Sequence, residues 1–233
     1  MFFTIGAYPT PRANGRSRPR SALDDGEVLS PEELDRLEAR CREIPLTPND
    51  HVAHDLMAEL FDTVLDYQNR AATVRKAQEH FRIEHGGEIR TLGELQDLME
   101  RIPDDTDLAM SLWGNRHRRR ARELRGLAAY FREREVTDLA ALRRWAARST
   151  QDDFVGHIKG LGPAVYRSLV MRMGVDTVKP DVHVLRFVRA AIGRPVSQDE
   201  AVAALEAIAR RLGASARTLD GSIWTHEARG GRE

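Results

Sequence analysis

The stretch "HIKGLGPAVYRSLVMRMGVDTVKPDVHVLRFV", His157 to Val188, interrupts helical sequence twice. Lys159-Gly160-Leu161-Gly162 breaks it first, and Lys179-Pro180-Asp181 breaks it again before the next helix. Gly160 and Gly162 open backbone angles closed to other residues and let the chain come close to a ligand. Pro163 falls where a first helical residue is expected, its missing N–H costing nothing there. The flanking residues predict a short helix over 151–158 and another over 163–173, with the glycines as the turn between them. Amides exposed at the start of the second helix favour an anion and would grip a phosphate. Ile158 and Leu161 would anchor the turn on the core. Pro180 cannot extend a preceding helix, so Asp181 is expected to cap the segment Val182–Ala191.

Outward from this stretch, helix-start signals follow one another. Ser30-Pro31-Glu32-Glu33 combines a capping Ser, a Pro at the first helical position and a Glu three residues on. Thr47-Pro48-Asn49-Asp50, Thr91-Leu92-Gly93-Glu94, Thr150-Gln151-Asp152-Asp153 and Ser197-Gln198-Asp199-Glu200 repeat the arrangement. Apolar residues between them recur at helical spacing, as in Leu56, Leu60, Val64 and Leu124, Leu127, Ala128, Phe131. No sustained alternation of the kind a half-buried strand needs is found. The expectation is an all-α protein of roughly ten helices joined by short turns, without internal repeats or sustained heptads.

The 233 residues suffice for one large domain or two small ones, and 41% hydrophobic with 31% charged residues is ordinary for a globular chain. No run approaches the roughly 20 apolar residues of a membrane helix. The start, Met1 to Gly6, lacks the basic region of a signal peptide. Cys41 is the only cysteine, which excludes an internal disulfide and an all-cysteine metal cluster and suits a reducing cytoplasm. A formal net charge of zero hides a segregation. Residues 21–66 hold thirteen acids and three bases, whereas 116–148 hold eleven arginines and four acids. Residues 1–20 add four arginines and no acid. Positive charge gathered on one face binds phosphates however acidic the far side is. A solvated helix face explains Arg116, Arg118, Arg119 and Arg120 equally well. Residues 1–25, with Pro9, Pro11, Asn14, Gly15 and Pro19 among arginines, read as a flexible basic arm.

"IKGLGPAV" followed by "KPDVHVLRFV" resembles the helix-hairpin-helix plus Gly/Pro/Asp signature of the DNA glycosylase superfamily, which includes endonuclease III and the adenine-mismatch, 8-oxoguanine and alkyl-purine glycosylases. Gly160, Leu161, Gly162, Asp181, His183 and Arg186 match that pattern in type, order and spacing. The resemblance is strong over 157–188 and extends more weakly over roughly 50 to 228 of the chain. "FDTVLDYQNRAATVRKAQEHF" is similar to the early helix pair, and "LWGNRHRRRARELRGLAAYF" to the later basic helix. "TLDGSIWTHEA" is similar to the last helix before the iron–sulfur loop of endonuclease III, but no cysteine follows, so no such cluster is expected.

The resemblance implies a two-lobed orthogonal helical bundle over 26–233 with a helix-hairpin-helix DNA-binding motif. One lobe would span about 65–150, and the other about 26–64 plus 151–233. It implies a monomeric repair enzyme, cytoplasmic and nucleoid-associated, acting on double-stranded DNA with a damaged or mismatched base. Asp181 would be the catalytic carboxylate, stabilising the sugar cation and orienting a water. On residue type and place alone Asp181 fits simple capping as well; the paired motifs turn the reading to catalysis. Lys159, Gly160, Leu161, Gly162, Pro163 and Ala164 would meet the DNA backbone. Gln68 would wedge into the stack, and Arg186 would support the helix face or touch a phosphate. Tyr67 and Trp113 are candidates for the base pocket. Trp145, Tyr166 and Trp224 are also available, with Tyr166 read as core. Strand-nicking members carry a Lys where this chain has Ala164, so a water-using, monofunctional glycosylase is expected. Lys179, two residues before Asp181, keeps a Schiff-base lyase open. A non-catalytic helix-hairpin-helix module is the further alternative. Pro163 leans the substrate toward alkylated purines. His51, His54 and His80 form no ligand-like set, and no catalytic metal or cofactor is expected beyond a monovalent cation held by hairpin carbonyls, as in the family.

Overall fold

A computed structural model describes residues 29–49, 52–65 and 71–230 of the chain. The basic arm at 1–25 therefore lies outside the described residues, as do Tyr67 and Gln68. Among the described residues the protein is all-α, with eleven helices and no strand. None of these helices is long and apolar enough to cross a membrane.

Three of the five start signals do open helices. Ser30 with Glu33, Thr91 with Glu94 and Ser197 with Glu200 close capping boxes on α1 (Pro31–Arg42), α4 (Leu92–Arg101) and α10 (Gln198–Leu212). Such a cap stabilises its helix by about 1 kcal/mol. The other two are corrections. The Thr47 N–H donates to Ser222 Oγ at 2.9 Å, and α2 (Leu56–Leu65) begins only at Leu56. Thr150 does bond Asp153 Oδ2, through its N–H at 2.7 Å and its hydroxyl at 2.8 Å. Yet residues 151–160 form successive turns instead of the expected helix over 151–158. The Asp153 carbonyl, which an α-helix would offer to residue 157, instead accepts the Tyr130 hydroxyl at 2.7 Å. Gly156 then turns left-handed at φ +91°.

Two hydrophobic cores organise the molecule. The larger is built from α2, α3 (Ala71–Glu84), α4, α5 (Asp105–Trp113), α6 (Arg118–Arg132), α7 (Leu139–Ala146) and α8 (Pro163–Arg172). The smaller gathers α1, α9 (Val182–Ile192), α10 and α11 (Ala216–Gly230). The chain thus divides differently from the expected halves at 64 and 150. Phe61 and Val64 of α2 and Phe154, Leu161 and Leu169 are all buried in the larger core. The reason is aromatic packing, because Phe154 lies among Tyr130, Trp145 and Tyr166 at centroid distances of 5.4, 6.0 and 5.7 Å.

The arginine run at 116–148 is also less free than its sequence suggests. Arg120 is buried against Glu123 at 3.0 Å. Arg125 bonds Asp105 at 3.0 Å, the Met99 carbonyl at 2.7 Å and the Ile102 carbonyl, closing the turn between α4 and α5. These cations hold helices together.

A second buried pair ties α8 to α2. Arg172 Nε donates to Glu59 Oε2 at 2.6 Å, and Nη2 donates to Thr63 Oγ1 at 2.9 Å. Arg172→Ala leaves the buried Glu59 carboxylate uncompensated and should lower unfolding stability by about 3 kcal/mol in a urea titration. The double variant Glu59→Leu/Arg172→Met, which removes both charges, should recover most of that loss.

Candidate active site

A cleft of about 940 Å³ opens between the two cores. One wall is the glycine turn and the start of α8, with Gly160, Gly162, Pro163 and Ala164. The facing wall is the bend into α9, with Lys179, Pro180, Asp181 and His183. Arg119 of α6, Arg189 of α9 and Trp224 of α11 also line it, and Ala71, the first described residue after segment 66–70, reaches it too.

The turn is shaped by what lies behind it. Gly160 adopts φ +99°, and a Cβ there would collide with the Glu123 carboxylate. Glu123 is itself 3% exposed and fixed by Arg119 at 2.8 Å and Arg120 at 3.0 Å. Leu161 is sunk in the core with Ile158, so its side chain anchors the turn and does not line the cleft. Gly162 is the N-cap of α8 at φ −105°, and a Cβ there would meet nothing within 4 Å. Its side toward the cleft is open. With Pro163 lacking an N–H, the Ala164 amide is among the first-turn donors that the helix leaves unused. Turn carbonyls, which the family's cation would need, already work within the chain. That of Ile158 accepts Leu161 N–H at 3.1 Å, leaving one lone pair, and that of Gly162 accepts both Val165 N–H at 3.0 Å and Tyr166 N–H at 3.1 Å.

Across the cleft, Asp181 caps α9 as the sequence predicted. Its Oδ1 accepts from His183 N at 2.9 Å and Val184 N at 3.1 Å. Among the described residues Oδ2 has no hydrogen-bond partner, and Asp181 is the one acid lining the cleft, amid Arg119, Lys179, His183 and Arg189. The carboxylate is held by one oxygen at a helix start, where negative charge is favoured, and offers the other to the cleft. Behind it, Asp220 Oδ1 accepts the Lys179 N–H at 2.8 Å. Burial pushes the Asp220 carboxyl up to about 7, the Lys179 N–H opposing and the Asp181 charge reinforcing the rise.

Other expected residues fall elsewhere. Trp113 is 3% exposed, edge-on to Phe61 at 5.7 Å, and lines no part of the cleft, so the pocket assignment is corrected to core. Its place on α5 one turn from buried Ala109 puts it on the inner face. Tyr166 is core, as expected. Trp145 is partly buried and lines a separate hollow with Arg144 and Arg148. Arg186 pairs with Glu227 of α11 and contacts His183 Nδ1 at 3.3 Å, outside the cleft. Lys159 is exposed on the turn. The aromatic at the cleft is Trp224, 50% exposed, its ring 5.9 Å from that of His183. A signal for it existed: Leu219 and Ile223 mark the buried stripe of α11, and Trp224 sits one residue off it. Cys41 is buried in the smaller core, and burial raises its thiol to about 12. Among the described residues no three His, Cys, Asp or Glu side chains group as metal ligands.

The two glycines should separate by mutation. Gly160→Ala, forced into both a left-handed backbone and the Glu123 carboxylate, should lower stability by about 2 kcal/mol. Gly162→Ala, with ordinary φ and open space, should stay within about 0.5 kcal/mol of the parent. Urea midpoints of the two variants check the contrast.

No curated protein and no solved structure matches the chain. From Arg40 in α1 to Ala228 in α11 the match is to a family described as a domain of unknown function, DUF8548, and the chain belongs to that family.

Proposed function

We propose that this protein is a DNA glycosylase that swings a damaged base out of the duplex and hydrolyses its N-glycosidic bond, as in base excision repair. The observation that carries this reading is the meeting of the Asp181 carboxylate and the glycine turn across one cleft. The turn at 159–162 would act as the hairpin of a helix-hairpin-helix module, with the successive turns over 151–158 in place of its first helix. Its open Gly162 and the Ala164 amide suit a phosphodiester, which needs donors and close backbone approach. Arg119, Lys179 and Arg189 add positive charge around that path.

The chemistry follows from the charge that develops. The C1′–N bond breaks with its electron pair leaving on the base, and positive charge spreads over C1′ and the ring oxygen. The ionised Asp181 faces that charge and stabilises it. Water adds to C1′ and gives up a proton to Asp181 or to solvent. An alkylated purine already carries positive charge and departs as a neutral base, so one carboxylate and no separate acid suffice. That agrees with the lesion class favoured at Pro163. Trp224, half exposed beside His183, is a surface on which an extruded base can stack.

Wild-type protein on a panel of lesion-bearing duplexes, followed by alkali, should cleave at one class of lesion. Asp181→Asn should slow base release by about 10³-fold while leaving duplex affinity within about twofold. Wild-type rates in that variant would remove Asp181 from the mechanism. Tight duplex binding by the wild type without release of any base would leave a non-catalytic DNA-binding module.

Lys179 lines the cleft beside Asp181, which gives the lyase reading a specific footing. Borohydride on the protein with an abasic duplex should trap no covalent adduct. An adduct that disappears in Lys179→Ala would replace the water route by Schiff-base chemistry.

A further inference from the structure

Asp220 stands outside the glycine turn and the Pro-Asp bend that mark the candidate site, yet it is bonded to the bend. Its Oδ1 takes the Lys179 N–H at 2.8 Å, while the Lys179 carbonyl takes the Asp181 N–H at 2.8 Å. Between them Pro180 has a fixed φ and no donor. The main chain of Lys179 is thus held at both ends, and the bend that presents Asp181 hangs from a carboxyl on α11. No other side chain among the described residues bonds this Lys179 N–H.

We propose that Asp220 is a positioning residue for Asp181: it fixes the turn that presents the cleft carboxylate, and its own proton sets how much negative charge faces the reacting sugar. The inference rests on the glycosylase reading above. Asp181 accepts from two backbone donors at the start of α9, which fix its side chain. Asp220 has one donor and is partly buried at the foot of the bend, and desolvation lifts it to about 7. A raised carboxyl beside a cleft carboxylate can change its charge near neutrality and so alter the field there. The charged groups that act on Asp220 are Lys179 and Asp181. From α9, His183 and Arg186 face α11 further along, at Trp224 and Glu227. From α10, Glu206 is taken up by the Thr177 hydroxyl at 2.6 Å.

The sign of the pH effect follows. Below about 7 Asp220 holds its proton and still accepts from Lys179 through its carbonyl oxygen. Above about 7 it adds a second negative charge near a developing cation, so base release should quicken as pH rises through neutrality. Stability should move the other way. A carboxyl raised in the folded state keeps a proton that the unfolded chain has lost, so the fold weakens as pH climbs from about 4 to about 7.

Single-turnover base release from pH 6 to 8.5 tests this with four proteins. The wild-type rate should rise about tenfold. Asp220→Asn keeps an acceptor oxygen but cannot ionise, so its rate should stay flat at the wild-type low-pH value. Its urea midpoint should exceed that of the wild type at pH 8. Asp220→Ala loses the acceptor and should be slower than Asp220→Asn at every pH. A wild-type pH profile in Asp220→Asn, or an alanine variant as fast as the asparagine one, overturns the inference while leaving the glycosylase reading intact. Undiminished release by Asp181→Asn sinks that reading instead. The carbon-13 titration of the Asp220 carboxyl needs no substrate: its midpoint should lie near 7 in the wild type and fall in Asp181→Asn. A midpoint in the ordinary carboxylate range overturns the pairing outright.

Discussion

The chain between α8 and α9 has to cross from one hydrophobic core to the other without regular structure, and its backbone groups need partners on the way. α11 supplies one, for the Lys179 N–H, and is itself capped by a side chain of the crossing. Asp176 Oδ1 accepts the Arg217 N–H at 3.0 Å, which stitches the crossing to the start of α11, and Asp220 accepts the Lys179 N–H a turn later. Thr177, buried between the cores, accepts from Arg167 of α8 at 2.9 Å and donates to Glu206 of α10. Three helices therefore hold the crossing in place, and the position of Asp181 is a consequence. Buried main-chain groups that lacked these partners would each cost about 1–3 kcal/mol, enough to let the segment wander.

The other wall is governed by a buried acid. Glu123 lies behind Gly160, and two arginines of the same helix neutralise it. The arrangement explains why the turn needs a glycine at that point for two independent reasons, backbone angle and space. It also changes the meaning of the arginine-rich segment. Arg120 and Arg125 work inside the fold, and Arg122 pairs with Asp105 at 3.0 Å across the α5–α6 contact. The cation that α6 contributes to the cleft is Arg119, which shares Glu123 with Arg120. Local charge at the cleft matters more for an anionic partner than the count along the sequence.

Much of the fold was legible because helices announce their starts and their buried stripes locally. Ser30, Thr91 and Ser197 carry capping boxes whose partners lie three residues away, and all three form. The same pattern misled at Thr47 and Thr150, where a distant hydroxyl, Ser222 or Tyr130, claims the backbone first. Such tertiary competition leaves no local trace. At the site, Gly160, Gly162, Pro163 and Asp181 could be read because each is punished or rewarded by backbone geometry alone. Trp113 could not, since its burial depends on Phe61 from another helix. Asp220 could not either: its weight comes from a hydrogen bond to a residue 41 positions earlier. The lobe division failed for a similar reason, as Phe154 follows its aromatic neighbours and not its neighbours in sequence.

Capping and chemistry usually compete as explanations for an acid at the head of a helix. Here the two oxygens of Asp181 separate them. Oδ1 satisfies two first-turn amides, which secures the rotamer. Oδ2 has no hydrogen-bond partner among the described residues, and the other charged residues among them that line the cleft, Arg119, Lys179 and Arg189, are cations. Arg119, Lys179 and Arg189 line the same cleft, so the place of Asp181 combines a cap with a cationic surround. The proposed glycosylase role would use both features at once, the cations drawing in a polyanion and the carboxylate facing the positive charge that develops. The cap then has a second consequence. Under the proposed role, holding the carboxylate before any substrate arrives would spare the reaction the reorganisation that a freely rotating acid needs, and the larger part of electrostatic catalysis lies in such preorganisation.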